Sequence, residues 1–173
     1  MEIVTTFATN IYAFQFDEDA DVLERIFDLW ADPLYLYEFF TENESDLKNE
    51  YTIEEAVKRT RIEAKFFKKK MLECANASPD RLNEFFANLY NNEYKNSEIP
   101  RQKAKQKWLR LYALKIEQEE RFLYVITGGM IKLTHLMEDR EHGKKEKTII
   151  NQCRDHLRTI GVYDSETFFE IYF

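Results

Sequence analysis

Cysteine, histidine, glycine and proline are all scarce in this chain of 173 residues. Its two cysteines, Cys74 and Cys153, lie far apart in segments with helical patterns, which indicates two reduced core thiols and not a disulfide framework. The cysteines and the three histidines do not have the spacing of zinc ligands, so we expect no metal and no other cofactor. With only 4 glycines and 3 prolines, long irregular loops are not expected either.

Long apolar segments are absent as well. No apolar run approaches the roughly 20 residues that cross a bilayer. The opening residues, MEIVTTFATN, lack the basic region and apolar core of a secretory signal. We therefore expect a cytoplasmic protein without a membrane partner.

Aromatic residues, in contrast, are abundant. The chain has 14 Phe, 10 Tyr and 2 Trp, together 15 % of its residues. Many of these rings must be buried, which favours a folded chain over a disordered one. The length is typical of one domain, so we predict a single domain over residues 1–173.

The charge is unevenly distributed. The net charge of −7 argues against general affinity for nucleic acid. However, residues 1–50 contain 13 acidic and 2 basic residues, whereas residues 51–173 contain 23 basic and 19 acidic residues. Such asymmetry between an acidic first third and a mildly basic remainder can mark a binding face.

The first fifty residues predict a strand followed by helices. Residues 3–16 are rich in β-branched and aromatic residues, which is typical of a strand. Asp19 or Asp21 is placed to cap the following helix, and Pro33 is expected to stop or kink that helix. Residues 34–40 are apolar on most sides and predict a short buried helix.

Two more helices and a loop are predicted before residue 100. Residues 52–55, TIEE, form a capping box that begins a helix over about residues 53–75. Ser78-Pro79 resembles a cap with proline in the first turn, and a shorter helix follows over residues 82–90. Residues 91–97 are polar and predict a loop.

Three antiparallel strands are predicted over residues 108–137. Two alternating apolar runs flank the polar residues 117–120, and a third run follows Gly128-Gly129. A glycine pair between strands is typical of a tight hairpin turn, because both central positions need positive φ. Residues 101–107, RQKAKQK, form a basic approach to these strands.

The last part of the chain predicts a helix and a packed tail. Residues 138–143 form a charged loop, and residues 144–160 have apolar residues at helical spacing before Gly161. The aromatic tail after Gly161 is expected to dock as a strand or turn, with an exposed hydrophobic hook as the alternative. The predicted class is α+β: a mostly antiparallel sheet of four to five strands covered by helices.

Basic and aromatic residues occur together at the start of the predicted strands. Cations can bind phosphates while aromatic rings stack on bases. The candidates for contact with RNA are Lys103, Lys105, Lys107, Trp108 and Tyr112. Another basic run, at residues 58–70, is interspersed with acids and is more typical of a solvated helix face.

The pattern from residue 109 onward resembles the RelE/HigB superfamily of small bacterial toxins. Leu109-Arg110 opens one predicted strand, RFLYV at residues 121–125 lies on the next, and IKLTH at residues 131–135 lies on a third. The order of strand, helices, three strands and C-terminal helix is also similar. The resemblance covers about residues 101–160, and residues 17–100 would be an enlarged, mainly helical insertion.

The resemblance implies a metal-independent endoribonuclease that cleaves mRNA in the ribosome and is restrained by a cognate antitoxin. Cleavage by the substrate's 2′-hydroxyl needs a base, cations around the phosphate and an acid for the leaving oxygen. The resemblance implies these catalytic residues: Arg110, Arg121, Lys132 and His135. His135 would be the acid–base group, and the three cations would stabilise phosphate charge.

His135 has a second interpretation, as a strand histidine with a hydrogen-bonded ring. In a regular strand, Lys132 and His135 would also point to opposite faces of the sheet.

The alternative function is a non-enzymatic interaction module with the same fold. Its acidic N-terminal third would then bind a protein, either a DNA-binding antitoxin or a second copy of this chain. An exposed cationic groove on the sheet would favour the nuclease, whereas an apolar or acid-covered sheet face would favour the interaction module.

Overall fold

The computed structural model describes residues 1–17, 20–90, 99–119 and 121–173. The predicted α+β class is confirmed, but the sheet is larger and more mixed than expected, with six strands in the described ranges. The loop predicted at residues 91–97 and the alternative cap Asp19 lie outside the described residues.

The sheet brings the N-terminal strands beside the last described strand along the chain. Its strands are β1 (Glu2–Thr5), β2 (Ile11–Gln15), β3 (Ala87–Asn88), β4 (Arg101–Gln106), β5 (Leu109–Gln118) and β6 (Arg121–Ile131). Their order across the sheet is β1-β2-β6-β5-β4-β3. Strand β2 pairs with β6 in parallel, and all other neighbouring pairs are antiparallel. The single strand predicted over residues 3–16 is therefore a hairpin of two strands.

Six α-helices occur in the described part of the chain. They are α1 (Val22–Ala31), α2 (Pro33–Glu42), α3 (Ile53–Ala77), α4 (Pro79–Phe85), α5 (Glu141–Thr159) and α6 (Ser165–Tyr172). Short 3₁₀ turns lie at Glu44–Leu47 and Met137–Asp139. Among the described residues, none of these helices combines the length and apolar character needed to span a membrane.

The helix starts follow from local chemistry. The Asp21 carboxylate accepts hydrogen bonds from the first free amides of α1, at 2.8 Å from Leu23 N. The Thr52 hydroxyl accepts from Glu55 N, and the Glu55 carboxylate accepts from Thr52 N, so the predicted capping box is confirmed. Helix α1 ends at Ala31 and Pro33 begins α2, so the helix stop predicted at this proline is confirmed.

The hairpin turn predicted at Gly128-Gly129 is wrong, because both glycines lie inside β6. The chain instead turns at Lys107 and Glu119, which take positive φ values of 52° and 53°. The strand predicted at residues 131–135 is also wrong, since β6 ends at Ile131. The basic segment at residues 101–107 is not an approach to the sheet but supplies strand β4 itself.

The two glycines are needed for close packing on both faces of the sheet. A Cβ on Gly128 would collide with the Glu146 carboxylate on α5, and a Cβ on Gly129 would meet Ile26 of α1 at 3.1 Å. Because neighbouring strand residues point to opposite faces, α1 and α5 must lie on opposite faces of β6. Helix α3 joins α1, stacking Phe67 against Trp30 at 6.0 Å between ring centroids.

The C-terminal tail docks, as expected, but as helix α6 and not as a strand or turn. Phe168 is buried, and its ring packs edge-on against Tyr12 of β2 at 5.1 Å. The charged segment before α5 differs from the prediction too, because the helix begins at Glu141 instead of residue 144.

Gly143→Ala is expected to destabilise the fold more than any exposed alanine substitution on α5. The new Cβ would overlap the backbone carbonyl of Met137, which cannot rotate away as a side chain can. Overpacking of this kind costs about 1–3 kcal/mol of unfolding free energy, measurable by urea denaturation. Lys145→Ala, on the exposed side of the same helix, is the control, and equal stability of the two variants would contradict this packing.

Candidate nucleic-acid interface

Basic side chains from β4 and β5, and from the residues that directly follow β4 and β6, meet at one corner of the sheet. In the register of β4 and β5, Lys105 lies opposite Arg110 and Lys103 lies opposite Tyr112. Lys132 extends the β5–β6 ladder by one step, because its amide donates to the Trp108 carbonyl at 2.7 Å. We call this group the cationic corner: Lys103, Lys105, Lys107, Arg110 and Lys132.

The positive charges of the cationic corner act on one another. Burial lowers the pKa of Lys103, and the neighbouring Arg110 and Lys105 lower it further. Burial likewise lowers the pKa of Lys132, again helped by Arg110 and Lys103. Burial also lowers the pKa of Arg110. The lowered pKa values indicate that these cations are partly desolvated and close together. An anion bound among them would stabilise their charged forms.

The three partly buried cations are held by carbonyl groups. Arg110 donates to the carbonyls of Lys107 and Leu109, at 2.6 and 2.9 Å. Lys103 Nζ donates to the Leu89 carbonyl at 3.2 Å, and Lys132 Nζ donates to the His135 carbonyl. Within the described residues, no carboxylate lies at ion-pair distance from any of the three cations.

Acidic groups border the corner near Lys132. Glu138 and Asp139 slightly oppose the fall in the pKa of Lys132, but each carboxylate has a closer partner. Glu138 pairs with Lys147 of α5, and Asp139 accepts a hydrogen bond from Leu136 N at 2.8 Å. The corner therefore has an acidic border without being neutralised by it.

His135 lies in the exposed segment after β6, beside Lys132. Because β6 ends at Ile131, neither residue lies in a strand, and the strand alternation from which opposite faces were expected does not apply to them. Among the described residues, the His135 ring has no hydrogen-bond partner, so the alternative of a hydrogen-bonded strand histidine is also wrong.

Two residues predicted for the site lie elsewhere. Arg121 begins β6, ten residues before Ile131, which corresponds to about 33 Å along a strand. It lies beside Gln118 and Glu166, at the α6 end of the sheet. Tyr112 is only 1 % exposed, and burial raises the pKa of its hydroxyl. Arg121 is therefore remote from the corner, and Tyr112 has no free ring face for a base.

Trp108 stands at the boundary between the cationic corner and the helical layer. Its indole N–H donates to Thr60 Oγ1 of α3 at 2.9 Å. Its ring packs between Phe40 and Tyr51, with centroids 5.6 and 5.5 Å away. A depression of about 330 Å³ lies beside this half-buried ring. We call it the Trp108 pocket; its lining is Asp46, Leu47, Lys48, Glu50, Tyr51, Arg59, Lys107, Trp108, Lys132 and Leu133.

Glu146 is a half-buried residue with an enclosed carboxylate oxygen, and the sequence interpretation missed it. Strand β2 pairs with β6 only at residues Tyr124–Ile126 of β6. Beyond this pairing, the Glu146 carboxylate accepts a hydrogen bond from the Gly129 N–H. Its Oε2 atom is buried without a hydrogen-bond partner among the described residues. Burial raises the pKa of Glu146 to about 7, although the positive charge of Arg25 opposes this.

A sequence signal for Glu146 does exist. Glu146, Ile150, Cys153 and Leu157 follow one another at spacings of four, three and four, so the carboxylate lies on the buried stripe of α5. Charged residues on such a stripe need a partner or a shifted pKa.

No group of three or more His, Cys, Asp or Glu side chains in the described ranges is arranged to hold a metal ion. No family model matches this chain, and neither the curated proteins nor the solved structures yielded a match. The chemistry of the cationic corner is therefore inferred from its own geometry.

Glu146→Gln should change how stability depends on pH. The folded protein keeps a proton on Glu146 between about pH 4.5 and 7, where the unfolded chain has released it, so stability falls as pH rises through this window. The loss is at most roughly 3 kcal/mol.

Urea unfolding from pH 5 to 8.5 measures this effect. Glu146→Gln is expected to flatten the profile and to exceed the wild type in stability above pH 7, with the exposed Glu170→Gln as control. Parallel profiles for Glu146→Gln and the wild type would show that the carboxylate is not buried in solution.

Proposed function

We propose that this protein is a RelE/HigB-like toxin module that binds RNA at the cationic corner and cleaves it without a metal ion. The observation that carries the proposal is the convergence of Lys103, Arg110 and Lys132 from separate segments. Each is partly buried, and none has a carboxylate partner within the described part of the chain.

Burying like charges together costs free energy, and structural ion pairs are the usual compensation. A phosphate group provides the missing compensation, since its oxygens can accept hydrogen bonds from an arginine and two lysines at once. The overall charge of −7 does not prevent this, because local potentials decide where an anion binds. The acidic residues outside the cationic corner would instead weaken the binding of RNA to the rest of the protein surface.

RNA supplies its own nucleophile for the reaction. The 2′-hydroxyl loses a proton to a base and attacks the adjacent phosphorus, while the bond to the 5′-oxygen breaks and that oxygen gains a proton. The products are a 2′,3′-cyclic phosphate and a free 5′-hydroxyl. Lys103, Arg110 and Lys132 would stabilise the charge that develops on the phosphate oxygens.

His135 is the proposed acid–base group because it is exposed and its backbone carbonyl accepts a hydrogen bond from Lys132 Nζ. Lys132 supports the reaction in a second way: a lysine whose pKa is lowered releases a proton more readily than an ordinary lysine. The remote Arg121 has no place in this mechanism.

A protein partner is the second candidate function, and one observation favours it. Leu34 and Phe66, on neighbouring helices α2 and α3, are 65 % and 60 % exposed, and Tyr37 and Ile62 accompany them. Exposed apolar groups of this kind are typical of protein interfaces. A cognate antitoxin could cover them in the proposed toxin, and a second copy of the chain would do so in a purely interacting protein.

Substituting the cations should weaken RNA binding and reduce its salt dependence. Lys132→Ala and Lys103→Ala are each expected to lower the slope of log affinity against log salt by about 0.7, the value for one phosphate contact to a single strand. Fluorescence anisotropy with a labelled, unstructured 12-nucleotide RNA at 50 and 200 mM salt measures both effects. Lys65→Ala, an exposed lysine on α3, is the control, and indistinguishable binding by all three variants would refute the site.

Cleavage needs a separate test. Inducing the wild type is expected to slow bacterial growth and to cut mRNA when ribosomes are present, whereas Arg110→Ala and His135→Ala should lose both effects. Primer extension on a reporter mRNA locates the cuts. If the wild type binds RNA but neither slows growth nor cuts it, the enzymatic part of the proposal fails and RNA binding alone remains.

A further inference from the structure

We propose that the Trp108 pocket holds one nucleobase next to the phosphate bound at the cationic corner. This inference rests on the proposed function, because it identifies the unit of the RNA strand that the protein recognises. Lys107 and Lys132 belong to both the pocket and the corner. The Lys132 amide also bonds to the Trp108 carbonyl, so phosphate and base sites are joined through the backbone.

The pocket is built by contacts from two sides. On one side, the Trp108 indole is fixed by Thr60, whose hydroxyl donates in turn to the Ala56 carbonyl at 2.8 Å. On the other side, the Arg140 guanidinium pairs with both carboxylate oxygens of Asp46, with Nε 2.9 Å from Oδ2. These contacts tie α3 to the turn before β5, and the segment before α3 to the segment after β6. A ligand would meet a preformed site.

The lining has the chemistry that unpaired bases require. The Tyr51 ring stands edge-on to Trp108 at an interplanar angle of 86°, and the Arg59 guanidinium lies 5.1 Å from the Tyr51 centroid. Aromatic rings and arginine planes are the surfaces on which proteins stack single-stranded bases. Glu50 is exposed and has no ion-pair partner among the described residues, so its carboxylate can accept from a base amine.

Size and charge limit the ligand to about one nucleotide. A volume of about 330 Å³ lies at the lower end of ordinary ligand sites. Four cations are among the lining residues and could contact a phosphate attached to the base: Lys48, Arg59, Lys107 and Lys132. The shared chemistry is a nucleoside phosphate, supplied either by an RNA strand or by a free mononucleotide.

Tryptophan fluorescence offers a direct measurement. The chain has two tryptophans, and Trp30 is only 2 % exposed, so quenching by an added nucleotide would report mainly on Trp108. The ligands to compare are the 5′-monophosphates of adenosine, guanosine, cytidine and uridine, a six-nucleotide RNA, and ribose 5-phosphate, which has no base. The mononucleotides and the RNA should quench the tryptophan fluorescence, and ribose 5-phosphate should not.

Variants test whether the pocket causes the quenching. Tyr51→Leu is expected to reduce affinity for nucleotide and hexanucleotide by about tenfold, the scale of one stacked base. Tyr163→Leu, an exposed tyrosine after α5, is the matched control. Lys107→Gly is a second variant, since glycine suits the positive φ of 52° and only the cation is removed. Thermal unfolding verifies that each variant is folded.

The outcomes separate this inference from the proposed function. Lys103→Ala should weaken hexanucleotide binding more than mononucleotide binding, because Lys103 belongs to the cationic corner but does not line the Trp108 pocket. Hexanucleotide binding that depends on Lys103 but not on Tyr51 or Lys107 would overturn the base pocket and leave the proposed function intact. Quenching by mononucleotides through Tyr51, without any binding of RNA, would support the pocket with a free nucleotide as ligand and would remove the RNA function.

Discussion

The rest of the structure depends on close packing against both faces of β6 at Gly128 and Gly129. Helix α5 presses Glu146 against the first glycine, and helix α1 presses Ile26 against the second. Helices can approach a strand this closely only where Cβ atoms are missing. The packing of α1 and α5 on β6 fixes the end of this strand, and with it Lys132. It thereby positions Lys132 relative to the helical layer, which contributes other lining residues of the Trp108 pocket.

The features that could be predicted from sequence are those that local chemistry decides. Asp21 and the Thr52–Glu55 pair cap helices because their partners lie two or three residues away. The glycine pair was misinterpreted because tight turns and close helix contacts both select glycine, and only tertiary structure distinguishes them. Positive φ falls instead on Lys107 and Glu119, residues that carry no strong turn signal.

The candidate site was predictable only in part, and the reason is strand length. The alternation of apolar and polar residues along a sequence assigns side chains to the two faces of a sheet, but it does not show where the pairing between strands ends. Because β6 is one long strand instead of two, Arg121 and Lys132 lie at its opposite ends. Lys103 and Lys105 were expected to approach the sheet, and their position in β4 places them opposite Tyr112 and Arg110. The Trp108 pocket could not be predicted, because it is formed by contacts between segments that are remote in sequence.

The parallel pairing of β2 with β6 has a consequence for the order in which the protein assembles. Ile11 pairs with Tyr124, so the first hairpin has no neighbour in the sheet until α1–α4, β3–β5 and then β6 have been synthesised. Such long-range pairing makes folding slow and leaves strand edges unprotected during synthesis. Lys132 follows β6 and its amide bonds to the Trp108 carbonyl, and therefore the cationic corner is completed only after β6 has joined the sheet.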